Sequence, residues 1–109
     1  MASPINTFKT YTATLTTDND VIYTTPSNSD TIILMCQISN VTNNAANITC
    51  SHYDGDSITT ELVKNFAIPG ADAVTPLTGK LVLENGQSFI ASCSANSTCK
   101  ITLSVLETV

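Results

Sequence analysis

The stretch Leu77-Thr78-Gly79-Lys80-Leu81-Val82-Leu83-Glu84-Asn85-Gly86-Gln87-Ser88-Phe89-Ile90-Ala91-Ser92-Cys93, continued by Cys99-Lys100-Ile101-Thr102-Leu103-Ser104-Val105-Leu106-Glu107, decides the fold class. In its last segment Cys99, Ile101, Leu103 and Val105 alternate with Lys100, Thr102 and Ser104. A period of two puts one face of a strand in a core and the other in water. Glu84-Asn85-Gly86-Gln87 has Asn-Gly at its centre, the strongest short hairpin signal, because both residues accept positive φ. Residues 94–98 (Ser, Ala, Asn, Ser, Thr) form a five-residue loop of the kind that closes a longer hairpin. The stretch therefore predicts three short strands joined by two hairpin turns. It is scaffold and carries no chemistry.

The rest of the chain repeats the pattern. Phe8 to Leu15 predicts a first strand, suited to a sheet edge, and Val21 to Thr25 a second, stopped by Pro26 and a run of small polar residues. Thr31 to Asn40 is the most apolar run, with Ile32, Ile33, Leu34, Met35, Cys36 and Ile38. Apolar residues on both of its faces predict a central strand covered on both sides. Ala46 to Tyr53 places Ile48, Cys50 and His52 on one face, and Asp54-Gly55-Asp56 is a tight turn. Ser57 to Ile68 follows, with Leu62, Phe66 and Ile68 on one face, and Ala71 to Pro76 reads as a looser connection. The architecture expected is an all-β, two-sheet antiparallel β-sandwich, Ig-like or jelly-roll-like, of seven to eight short strands, with a small barrel as the alternative. Residues 1–7 are expected as an extended arm and residues 8–109 as one sandwich domain.

Composition excludes several functions. Only 12% of the residues are charged, against roughly 25% in an ordinary soluble domain. Thr, Ser and Asn supply the polarity instead, and Thr, being β-branched, suits a pleated surface. The net charge is -5, Arg is missing and Lys9, Lys64, Lys80 and Lys100 are scattered. No basic stripe exists to displace counterions from phosphates, so nucleic acid is not an expected partner. Nor is a membrane, since no segment approaches the roughly 18 apolar residues of a span. The N-terminus lacks a basic start followed by an apolar run, so no secretory signal is expected. Sequons at Asn40, Asn47 and Asn96 are of the number that chance gives in so Asn- and Thr-rich a chain.

The residues that could carry chemistry are few. Cys36, Cys50, Cys93 and Cys99 include no Cys-x-x-Cys pair, and His52 is the only histidine, so no metal or cofactor is expected. Cys36 and Cys50 are equidistant from a turn centred at Asn43, and Cys93 and Cys99 flank Asn96 in the same way. Each pair is expected to face itself across a hairpin, where opposed Cβ atoms lie about 4.5–5.5 Å apart, slightly wide for a disulfide at about 3.5–4.5 Å. Two disulfides and four buried free thiols in a reducing cytosol are both consistent with that register. His52 near Cys50 lacks a nucleophile elbow or oxyanion loop, which makes it a structural histidine and the chain a non-enzyme. Asp54, Asp56, Asp18, Asn19 and Asp20 read as turn chemistry, since the calcium-loop spacing is missing.

The segments Ile22-Tyr23-Thr24-Thr25-Pro26-Ser27, Thr31 to Asn40, Leu77 to Ser88 and Leu103 to Glu107 together resemble a group of small virion proteins of tailed phages, notably those of cyanobacteria. In that group a strand leads into Tyr-Thr-x-Pro, an apolar strand ends in a polar Asn turn, and a Gly-Lys-Leu-Val-Leu-Glu-x-Gly segment precedes the final strand. The resemblance spans nearly the whole chain from Val21 onward and rests on structural turns; the cysteines lie outside the shared pattern. It implies a non-enzymatic particle component, foremost a capsid decoration (cement) protein, trimeric and located in the virion after assembly in the host cytoplasm. The partners implied are the major capsid protein or other virion proteins. Ile5, Phe8 and Tyr11 are the expected subunit contacts, through an arm or a strand edge. A tail, neck or fibre-adaptor component is the second reading. A receptor- or carbohydrate-binding module using Tyr11, Tyr23 and Tyr53 is the third.

Overall fold

Strands with an apolar face must bury it against another such face, and the chain does this with two antiparallel sheets. A computed structural model describes residues 5–108. Its strands are β1 (Asn6–Thr14), β2 (Asp20–Thr24), β3 (Asp30–Asn40), β4 (Ala46–Tyr53), β5 (Thr59–Ile68), β6 (Ala73–Val74), β7 (Leu81–Leu83), β8 (Ser88–Cys93) and β9 (Cys99–Thr108). The first sheet has the order β1-β9-β3-β6, with β7 also paired to β3, and the second has the order β2-β8-β4-β5. The pairs nest: β1 with β9, β2 with β8, β3 with β6 and β7, β4 with β5. A chain paired in that nested manner and then rolled so that β9 meets β3 and β8 meets β4 is a jelly roll. This settles the choice between Ig-like and jelly-roll-like sandwiches.

The inner faces supply the core. Ile101, Leu103 and Val105 of β9, Ile33 and Ile38 of β3, Ile48 of β4, and Phe89 and Ala91 of β8 are all buried. Leu15, Ile68 and Leu83 close it from the strand ends. Each large side chain contributes roughly 1.5–3 kcal/mol by leaving water. The expected alternation in β9 and the shared face of Ile48, Cys50 and His52 appear as read.

Several expectations are corrected. The two hairpins foreseen in the C-terminal stretch are not hairpins: β7 and β8 lie in different sheets, and so do β8 and β9. The Glu84–Gln87 turn does form, with Gln87 N–H donating to Glu84 O at 3.0 Å. Gly86 has φ 79°, however, and Asn85 has no positive φ, so the turn is not the type I′ whose twist pairs its flanking strands. It arches between sheets. Residues 41–45 likewise carry the chain from β3 to β4 across the sandwich, not around a hairpin.

Strand β3 is central, flanked by β9, β6 and β7, but only one of its faces is covered. A register shift between Ile33 and Met35 inserts an extra residue, leaving Ile32 and Leu34 half-buried and Met35 at the surface. Nine strands replace the seven to eight expected, because the connection 71–76 contains β6, which bonds Ile38 and Ser39. Phe66 is 43% exposed rather than in the core, because register shifts along β4–β5 and a left-handed Asn65 (φ 52°) turn this edge strand outward. Of the arm foreseen at residues 1–7, Asn6 and Thr7 already pair with Thr108 and Glu107 in β1, and residues 1–4 lie outside the described residues.

Candidate assembly surface

The outer face of the first sheet has an unequal distribution of side chains. Register aligns Phe8 of β1 with Leu106 of β9, Leu106 with Ile32 of β3, and Ile32 with Val82 of β7. These four make one apolar row across four strands. Phe8 is 73% exposed and Val82 55%, while Leu106 and Ile32 are half-buried. The next row, Thr10–Ser104–Met35, adds a surface methionine. Beyond it the rows turn polar: Thr12–Thr102–Gln37, then Thr14–Lys100–Ser39. The apolar row thus lies toward one end of the face, between the polar terminal row Asn6–Thr108–Asp30 and the polar rows at the other end. Exposed apolar side chains grouped on a small domain mark contact with something else. Strand β1 pairs only with β9, so its second edge offers unpaired backbone groups among the described residues. Ile5, 64% exposed, continues the apolar character beyond the strand.

Beneath that end, between the sheets, lies a polar network. Glu107 occupies the inward phase of β9 and is buried. Its carboxylate accepts a hydrogen bond from the Tyr23 hydroxyl and lies 3.0 Å from Lys9 Nζ. The Tyr23 oxygen in turn meets Thr31 Oγ1 at 2.8 Å. The Tyr23 hydrogen bond and the Lys9 charge hold Glu107 below the usual carboxylate range. Burial, reinforced by Glu107, pushes the Tyr23 phenol above its usual range. The Tyr11 and Tyr23 rings pack at a tilt of 55° with centroids 5.0 Å apart, so Tyr11 faces inward and is half-buried. Tyr23 is 5% exposed. A sugar platform through Tyr11, Tyr23 and Tyr53 is thereby ruled out, since its middle member is inside.

The remaining sequence candidates hold turns and arches. His52 Nε2 donates to Gln87 Oε1 at 3.0 Å, and that oxygen also accepts Glu84 N–H at 3.0 Å. Asp54 Oδ1 accepts the N–H groups of Asp56, Ser57 and Ile58, which lowers its pKa. Asp20 Oδ2 accepts Thr16 Oγ1–H at 2.6 Å. The sequon residue Asn40 is buried, its amide donating to Asn44 O and Ile68 O while its oxygen accepts from Thr42. That commitment leaves no amide free for a glycan. Among the described residues no three His, Cys, Asp or Glu side chains form a metal-sized group. Each of the four cysteines is a buried thiol, and they stand in two facing couples, Cys36 with Cys50 and Cys93 with Cys99.

Two features escaped the sequence reading. Glu107 sits in the buried phase after Cys99, Ile101, Leu103 and Val105, which was visible and signals an inward charge in need of partners. The row Phe8–Leu106–Ile32–Val82 required the register of four strands. Its β1 member, Phe8, was expected as a subunit contact and its β3 member was hinted at by apolar residues on both faces of that strand, but their alignment with Leu106 and Val82 was not visible.

No protein-family model matches the sequence, and no curated protein matches it. Solved structures do share the fold. A subunit of Bacillus endospore appendages, described as a family of disulfide-linked pili, is similar with a TM-score of 0.57 at 8% identity, over 97% of this chain and 87% of that one. A chain of the T13 viral particle of infectious bursal disease virus gives 0.56 at 12% identity, over 97% of this chain but only 31% of that one. A chain of the acid-stable capsid of Helicobacter pylori bacteriophage KHP30 gives 0.53 at 14% identity, over 98% and 94%.

Proposed function

We propose that this chain is a non-enzymatic structural protein of a tailed-phage particle, a capsid decoration protein that bridges capsomers. The observation that carries the reading is the apolar row Phe8–Leu106–Ile32–Val82, with Met35 beside it, on an outer face whose other rows are polar, next to the open edge of β1. An isolated domain gains nothing from exposing those side chains, whereas a subunit seated on a capsid buries them. The fold supports the same reading, since chains of two virus particles share it across nearly the whole of this chain.

The physical task follows from that surface. Internal pressure separates capsomers, and a protein that binds both across their junction adds apolar burial and backbone hydrogen bonds resisting separation. Strand addition at β1 supplies the hydrogen bonds, with Ile5 and Phe8 as apolar anchors. Tyr11 faces the interior and supports β1 from beneath. A homotrimer placed where three capsomers meet repeats the contact by symmetry, with the major capsid protein as partner.

The reading is tested by co-sedimentation of the purified chain with phage heads that lack it. Phe8→Asp and Val82→Asp, both at exposed positions, are expected to weaken binding roughly 30-fold or more while leaving thermal unfolding unchanged. Binding to tails but not to heads would replace decoration by a tail, neck or adaptor role. Binding to neither would overturn the particle role.

A further inference from the structure

All four cysteines point inward, and each couple joins the two sheets. Cys93 ends β8 in the second sheet and Cys99 begins β9 in the first, with Sγ atoms 3.3 Å apart. Cys36 of β3 and Cys50 of β4 face each other in the same way through the core, 2% and 0% exposed. The sequence predicted these couples as neighbours across hairpins. The arches keep them together but change what a bond would do. A hairpin disulfide links strands already joined by backbone hydrogen bonds, whereas these couples link sheets that share no backbone ladder and meet through side-chain packing and a few side-chain hydrogen bonds.

We propose that Cys36–Cys50 and Cys93–Cys99 close as two sheet-to-sheet disulfides in oxidising surroundings, converting the sandwich into a covalently stapled form. This rests on no reading of function. The oxidant is a small-molecule disulfide of the glutathione class. One protein thiolate attacks a sulfur of that disulfide, expelling one small thiol and leaving a mixed disulfide. Its partner thiolate then attacks the protein sulfur, expelling the second small thiol. For each couple two S–H bonds are lost, one S–S bond forms, and the small disulfide is reduced to two thiols.

The same burial makes the step slow once the chain has folded. Burial and the neighbouring Cys93 push the Cys99 thiol up to about 12, and Cys50 together with burial pushes Cys36 up as well. Little Cys36 or Cys99 thiolate is present in the native state, and the burial of all four sulfurs shelters them from an oxidant. The staples therefore close during folding or through rare opening, and once closed they are equally sheltered from reductant.

The test is refolding of the reduced full-length chain in a glutathione redox buffer, followed by denaturation, alkylation and peptide mapping. The expected map has no alkylated cysteine and contains the links 36–50 and 93–99. The oxidised chain is expected to unfold about 15 °C or more above the reduced one. The double variants C36A/C50A and C93A/C99A should each lose part of that difference. The folded, reduced chain is expected to oxidise at least about tenfold more slowly than the unfolded chain. Four alkylatable thiols after refolding, a dominant map with other pairings, or equal unfolding temperatures would overturn the proposal. The wild-type map decides even if a variant fails to fold.

Discussion

The β4–β5 connection and the β8–β9 connection are built from similar residues, yet one is a hairpin and the other an arch between sheets. In the hairpin, Asp54 supplies nearly everything: its carboxylate accepts three backbone N–H groups and its own N–H donates to Ile58 O. Gly55 adopts φ 87°, and a Cβ there would lie 2.7 Å from Gly86 O. The arch draws its partners from elsewhere. Ser94 N–H donates to Asn47 O, Ser97 N–H to Leu15 O, and Asn96 Oδ1 accepts Thr17 N–H. Val41 N–H reaches Thr98 O. This hairpin satisfies its own backbone, while this arch is satisfied by segments distant in the chain. The first is written locally; the second exists only once the sheets have met.

That contrast predicts different penalties at the two kinds of site. The largest is expected where two loops meet without a gap: a Cβ on Gly70 would lie 2.4 Å from the Asn43 backbone. Gly70→Ala should destabilise the chain by about 3 kcal/mol, read from the urea midpoint. Gly79→Ala, where nothing lies within 4 Å, should change it by less than about 0.5 kcal/mol. A similar loss at both would break the comparison.

Asn40→Ala should come next, at about 2 kcal/mol. The substitution removes the side-chain donor to Ile68 O and the acceptor of Thr42 N–H, and leaves Asn44 O to Thr42 Oγ1 alone, loosening the 41–45 arch. Glu107→Gln should cost about 1–2 kcal/mol at neutral pH and flatten the pH profile. Because the folded pKa of Glu107 is depressed, its contribution is present above the ordinary carboxylate value and is lost as pH falls through the folded value. Tyr23 works in the opposite direction, its raised pKa giving a contribution present below the usual phenol range and lost as pH rises through the folded value. The wild type should therefore lose stability at both extremes, and Glu107→Gln less than wild type on the acid side. The smallest effect belongs to the hairpin. Asp54→Ala should speed amide exchange at Asp56, Ser57 and Ile58 and leave exchange in β9 unchanged; global loosening would show that the hairpin is coupled to the sandwich as an arch is.

The same physics explains what the sequence disclosed. The β9 alternation, the edge position of β1 and the Asp54 turn are period and turn chemistry, which act over a few residues. The all-β sandwich was legible for that reason. The destination of each turn was not: Asn85-Gly86 carries a hairpin signal, but the twist at Asn85 and the pull of Thr25, which bonds Gly86 and Gln87, send β8 to the other sheet. The cysteine couples were found through the wrong intermediate, since equal spacing about a turn brings residues together in an arch as well as in a hairpin. The apolar row as a whole could not be found, because it depends on three strand-pair registers.

The most direct test of the account is to locate the chain on purified particles by cryo-electron microscopy. The expected result is density at capsomer junctions, in many copies, with Phe8, Leu106, Ile32 and Val82 buried against a neighbouring subunit. Density in which that face points to solvent, or a particle without the chain, would contradict it.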